Sequence, residues 1–148
     1  MSDTSPIPQF SERFQAFVDM HGKPTVTVLA GAGVATTGAI VPAFHVGMFG
    51  VGGSYAIVQA GFAGLFALAL PIALGALPIA LKPDARLMRL AFGVACALLG
   101  IFFAVWMAPL GALFGSLSAG FYLSIVGYAA AAIGYYLLLE QKGAQRVL

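Results

Sequence analysis

Charge is what this sequence has least of. Asp, Glu, Lys and Arg make up 8% of its 148 residues and apolar residues 61%, whereas soluble domains average about 25% charged and about 45–50% apolar. A soluble domain of this length buries only about 70% of its surface, which would leave a large apolar excess in water. Composition therefore points to an all-α integral membrane protein. The same scarcity argues against nucleic acid as a partner, because the net charge is only +2 and no basic run forms a patch. A single cysteine, Cys96, leaves no pair for a disulfide within the chain, and its apolar neighbours predict a packed, inert thiol. Residues 1–24 have acids and prolines where a secretory signal needs a basic start and an apolar run. Ser2 is not the glycine that myristoylation requires, and the terminal QRVL has no cysteine to prenylate. The expected route to the membrane is the chain's own helices.

The few charges are confined to three places. Asp3, Glu12, Arg13, Asp19 and Lys23 come first, Lys82, Asp84, Arg86 and Arg89 lie in the middle, and Glu140, Lys142 and Arg146 come last. The two charge-free stretches between them are 58 and 50 residues long. One helix crosses the hydrocarbon core with about 20 residues, so each stretch suits two spans and a turn. The Gly/Pro-rich segments 41–55 and 107–120 mark the turns. The expected helices lie near 25–42, 56–81, 87–109 and 113–139, a four-helix transmembrane bundle spanning residues 25–140. Two hairpins bring every charge to one side, which the positive-inside rule makes cytoplasmic for both termini, including the tail 141–148. Small size, Ala/Gly richness and the missing targeting peptide point to a bacterial inner membrane.

Before the first span, Phe10, Phe14 and Phe17 share one face of a short amphipathic N-terminal helix within residues 1–24, with Ser11, Glu12, Gln15 and Asp19 opposite. Such a helix anchors at the headgroup level or packs on the bundle's cytoplasmic end. Within the spans, Gly31, Gly33 and Gly38 on the first helix form small-residue rows. Gly120, Ser124, Gly127 and Gly134 do so on the fourth, as do Gly93, Ala97, Gly100 and Ala104 on the third. Rows of this kind let helices approach closely in lipid. Pro71 and Pro78 predict a bend in the second helix. Gln59 is expected to bond across helices, and Tyr55, Tyr122, Tyr135, Tyr136 and Trp106 to form interfacial belts.

No carboxylate or ammonium falls inside a predicted span, which argues against ion-coupled transport and against a bundle metal site. No nucleophile sits beside a base, so no enzyme activity is expected. His45, in the first outer turn, is a candidate axial ligand for haem or a chlorophyll-type pigment; no cofactor is otherwise expected. Both outer turns are as apolar as the helices, with Phe44, Met48 and Phe49 in one and Leu113, Phe114 and Leu117 in the other. They either dip into the membrane or are covered by another protein. The expected function is a structural or accessory subunit, its partners being the lipid bilayer and other membrane subunits or copies of itself. The alternative is a passive channel or uncoupled small-solute transporter lined by the carbonyls of the 47–53 turn.

Overall fold

A computed structural model describes residues 6–48, 51–80, 84–107 and 116–145. The chain is mostly helical, with helices α1 (Pro6–His21), α2 (Lys23–Ile40), α3 (Phe62–Ala80), α4 (Ala85–Met107) and α5 (Ala119–Gln145). Three short strands, β1 (Pro42–Met48), β2 (Val51–Ala56) and β3 (Ser116–Leu117), were not expected. Local chemistry sets the boundaries. Gly22 joins α1 to α2 at φ 80°, ψ 149°, a region that only glycine adopts readily. Pro24 occupies the first turn of α2, where its missing N–H costs nothing. Val41 turns extended at ψ 145° because it precedes Pro42, and α2 stops there.

Helices α3, α4 and α5 are long and apolar enough to cross a membrane. Helix α2 is shorter in its apolar part, since Lys23 and four threonines share its length. It is nevertheless well enclosed, with Pro24, Thr25, Val28, Gly31, Ala32, Ala35, Gly38 and Ala39 all buried. Helix α2 packs between α3 and α5, and α5 between α2 and α4, while α3 and α4 touch each other far less. The contact of α2 with α5 is the most extensive among the described elements. It is antiparallel: Gly134 lies against Pro24 and Val28, Gly127 against Ala35, and Gly38 against Gly120 and Ser124. A methyl group on Gly31 would stand 2.5 Å from the Ala131 nitrogen, and one on Gly38 2.6 Å from the Ser124 nitrogen. The two backbones are thus in direct contact. Around this seam the core gathers Val28 and Ala35 of α2, Leu74 of α3, Ala91 and Ala95 of α4, and Tyr128, Ala132 and Tyr135 of α5.

Described parts of both expected outer turns join in one sheet. Its strand order is β2–β1–β3, antiparallel throughout. Strands β1 and β2 form a hairpin with Phe44 opposite Tyr55 and His45 opposite Ser54. Strand β3 comes from the second turn and places Leu117 opposite Phe44. Pairing the two turns satisfies backbone groups that an apolar setting would leave orphaned.

Helix α3 contains both Pro71 and Pro78. A proline at 78 cannot donate to the carbonyl four residues earlier, that of Leu74. The hydroxyl of Tyr135, fully buried on α5, donates to that same carbonyl at 2.6 Å. Tyr135 is therefore a tertiary partner of the proline break and not an interfacial belt residue. Other hydroxyls are satisfied within their own helices: Thr36 donates to Ala32 at 2.8 Å, Thr37 to Gly33 at 2.9 Å and Ser124 to Gly120 at 2.9 Å. Tyr135→Phe should lower stability in detergent by about 1 kcal/mol, the scale of a hydrogen bond between membrane helices. In a Pro78→Ala background the new amide can serve Leu74 itself, so the same loss should shrink. A double-mutant cycle on thermal unfolding measures this, and equal losses in both backgrounds would refute the pairing.

Candidate interaction site

The expected interaction residues divide. Phe44 is half-buried, and its ring lies 6.0 Å from that of Phe121 on α5. Phe121 is itself 5.3 Å from Phe102 on α4, which is 5.7 Å from Tyr128. This aromatic ladder ties the sheet to α5 and α4. Beside it, Phe44, Ile57, Ile101, Phe102, Val105 and Phe121 line a wholly apolar cleft of about 170 Å³. Leu117 is half-buried beside Phe44. The backbone of Met48 ends β1, whereas Phe49, Leu113 and Phe114 lie outside the described residues. The outer turns thus cover one another in part, by backbone pairing, before any partner is considered.

His45 is exposed, with Nδ1 3.0 Å from the Ser54 hydroxyl across the hairpin. Cross-strand pairing brings them together, although they stand nine positions apart in sequence. His45 does not line the apolar cleft beside Phe44. Among the described residues, no three His, Cys, Asp or Glu side chains gather in a metal-binding group. Gln59 does not bridge helices. Its Oε1 accepts the Ala56 amide at 3.0 Å and caps the 3-10 turn Ile57–Gln59 that precedes α3.

The small-residue rows also divide. Gly31, Gly38, Gly120, Ser124, Gly127 and Gly134 are buried in the α2–α5 seam. Gly33 faces outward with nothing within 4 Å of where a side chain would start. On α4 the row Gly93, Ala97, Gly100 and Ala104 is exposed along its whole length, and Gly93 and Gly100 likewise meet nothing. Cys96 lies on this open side, exposed and not packed as its neighbours had led us to expect. Only 11% of the apolar stretch of α4 is buried within the molecule, against 39% for α5. Leu90, Ile101, Phe103, Trp106 and Met107 are exposed along the same helix.

At the other end of the molecule, Phe10 is 74% and Phe14 50% exposed, their rings stacked 6.4 Å apart. Phe17 is half-buried and packs on His21 at 4.4 Å. Helix α1 makes few contacts with the rest of the chain, chiefly with α2, and Phe10 and Phe14 stay uncovered.

Three membrane-length apolar helices with exposed aliphatic faces define the class: the chain is compatible with an integral membrane protein. No family model matches it, and neither curated proteins nor solved structures yield a significant match.

The open and closed glycines separate folding from docking. Gly31→Ala should destabilise the fold by about 1–3 kcal/mol, the usual cost of overpacking. Gly33→Ala and Gly93→Ala should be neutral, or stabilising by up to about 1 kcal/mol through helix propensity. Thermal unfolding in detergent distinguishes them, and equal effects at Gly31 and Gly33 would contradict the seam.

Proposed function

We propose that the chain is a structural or accessory subunit of a larger membrane assembly, or a self-associating four-span protein, with no catalysis of its own. One observation carries this reading. The small-residue device that holds α2 against α5 recurs on α4, where Gly93, Ala97, Gly100 and Ala104 are exposed and unoccupied. In lipid the hydrophobic effect does not draw helices together, so such rows associate by backbone proximity and packing. A second membrane helix fits this face in the way that α2 fits α5. In the topology proposed here, α2 is the fourth span, sheltered by α3 and α5, and both termini lie in the cytoplasm. Lys23 at the start of α2, Arg86 and Arg89 in the first turns of α4 and Lys142 in the last turns of α5 all lie at helix ends away from the sheet, which supports that orientation. The bacterial inner membrane remains the proposed location.

Mild-detergent extraction from native membranes, followed by size separation and mass spectrometry, tests the function. A particle larger than one chain is expected, and Gly100→Leu should disperse it while leaving the thermal unfolding midpoint unchanged. A monodisperse monomer from native membranes would refute the proposal. A particle of this chain alone that conducts solutes in liposomes would replace it with the passive-channel reading. Orientation is tested separately in a Cys96→Ser background. Cysteines at Ser2 and Val147 should react with an impermeant thiol reagent only from the cytoplasmic side, and one at Ser54 only from the opposite side.

A further inference from the structure

At the end of the molecule away from the sheet, the start of α2 and the last turns of α5 border an open cleft of about 420 Å³. Its walls are Lys23, Pro24, Leu137, Glu140 and Gln141. The lining is divided by charge. Lys23 is exposed at the first residue of α2, so the positive end of the helix dipole adds to its ammonium. Gly22 before it offers no side chain to cap that turn. On the facing helix, Glu140 is exposed and carries the opposite charge. Pro24 and Leu137 are apolar, and Gln141 brings an amide that both donates and accepts. Glu140 directly follows Leu137, Leu138 and Leu139 near the end of the apolar stretch Ala119–Lys142. In the proposed topology the two charges therefore sit where hydrocarbon gives way to headgroups.

A plain anion in this cleft would be repelled by Glu140, and a plain cation by Lys23. A ligand carrying both charges on a short tether satisfies both walls. We infer that the cleft binds the headgroup of a phospholipid whose phosphate is followed by a primary ammonium, namely phosphoethanolamine. The phosphate oxygens accept from Lys23 Nζ, the ammonium donates to the Glu140 carboxylate and the Gln141 carbonyl, and the acyl chain begins along Leu137. This goes beyond the accessory-subunit reading and does not depend on it. It requires only that the apolar helices stand in a bilayer, whether or not a partner covers α4.

The test uses the full chain in mild detergent with an equimolar mixture of phosphatidylethanolamine, phosphatidylglycerol and phosphatidylcholine carrying the same acyl chains. Native mass spectrometry reads which lipid stays bound. Phosphatidylethanolamine should be retained over both others, and Lys23→Gln and Glu140→Gln should each reduce its retention about fivefold, the scale of one exposed charge pair. Glu140→Gln should also raise phosphatidylglycerol retention, because it removes the repulsion. Glu12→Gln on α1, outside the cleft, should change nothing. Both cleft side chains are exposed, so the variants should keep the wild-type unfolding midpoint. Equal retention of phosphatidylglycerol would reduce the site to simple basic attraction and overturn the proposal. Equal retention of phosphatidylcholine, which cannot donate from its ammonium, would overturn it as well, as would unchanged binding in both cleft variants.

Discussion

The approach of α2 to α5 at backbone contact is the constraint on which the rest of the structure depends. Gly31, Gly38, Gly120, Gly127 and Gly134 leave no room for even a methyl group between the two helices. In a lipid setting this closeness replaces the hydrophobic drive that a soluble core would use. It also fixes the architecture. The first hairpin, α2 with α3, meets the second, α4 with α5, through α2 and α5, so α3 and α4 become the outer helices. Joining the hairpins along this seam brings their outer turns side by side, close enough for β3 to pair with β1.

Backbone accounting explains most of the remaining detail. An apolar solvent offers no hydrogen bonds, so each polar group must find a partner inside the chain. Helices meet this requirement along their length, and the sheet meets it at the turns. Threonine and serine hydroxyls bond back to carbonyls of their own helices. The carbonyl released by Pro78 is reached from another element, by the Tyr135 hydroxyl. A proline on one helix and a tyrosine on another, far apart in sequence, thus form a single structural unit.

What remains uncovered is as specific as what is packed. The row of small residues on α4, the exposed phenylalanines of α1 and the charge-divided cleft below α5 share no residues. The surroundings we propose for them differ: a second membrane helix for α4, the headgroup layer for Phe10 and Phe14, and an individual lipid headgroup for Lys23 and Glu140. Such a protein can be held by its bilayer at one end while presenting a flank to another subunit.

Much of the fold was legible before any coordinates. The confinement of charge to three places delimits the apolar helices, because a charged side chain inside hydrocarbon costs several kcal/mol and few sequences place one there. The amphipathic spacing of Phe10, Phe14 and Phe17 marks α1, and Pro42 marks the end of α2. The tertiary structure alone decided which small residues pack. Gly31 and Gly33 stand two apart in nearly identical surroundings, yet one is sealed against α5 and the other is open, because a helix turns about 100° per residue and only one face meets a neighbour. Tyr135 reads as a belt residue and the outer turns as separate for the same reason, whereas Gln59, which reads as a bridge, caps a turn three residues away. Tyr135 finds its partner through the crossing of helices and β1 finds β3 through the pairing of strands, and a local pattern holds no record of those partners. Composition and charge placement make the chain compatible with a membrane and delimit its apolar helices; backbone proximity determines how its glycines, its tyrosine and its strands pack.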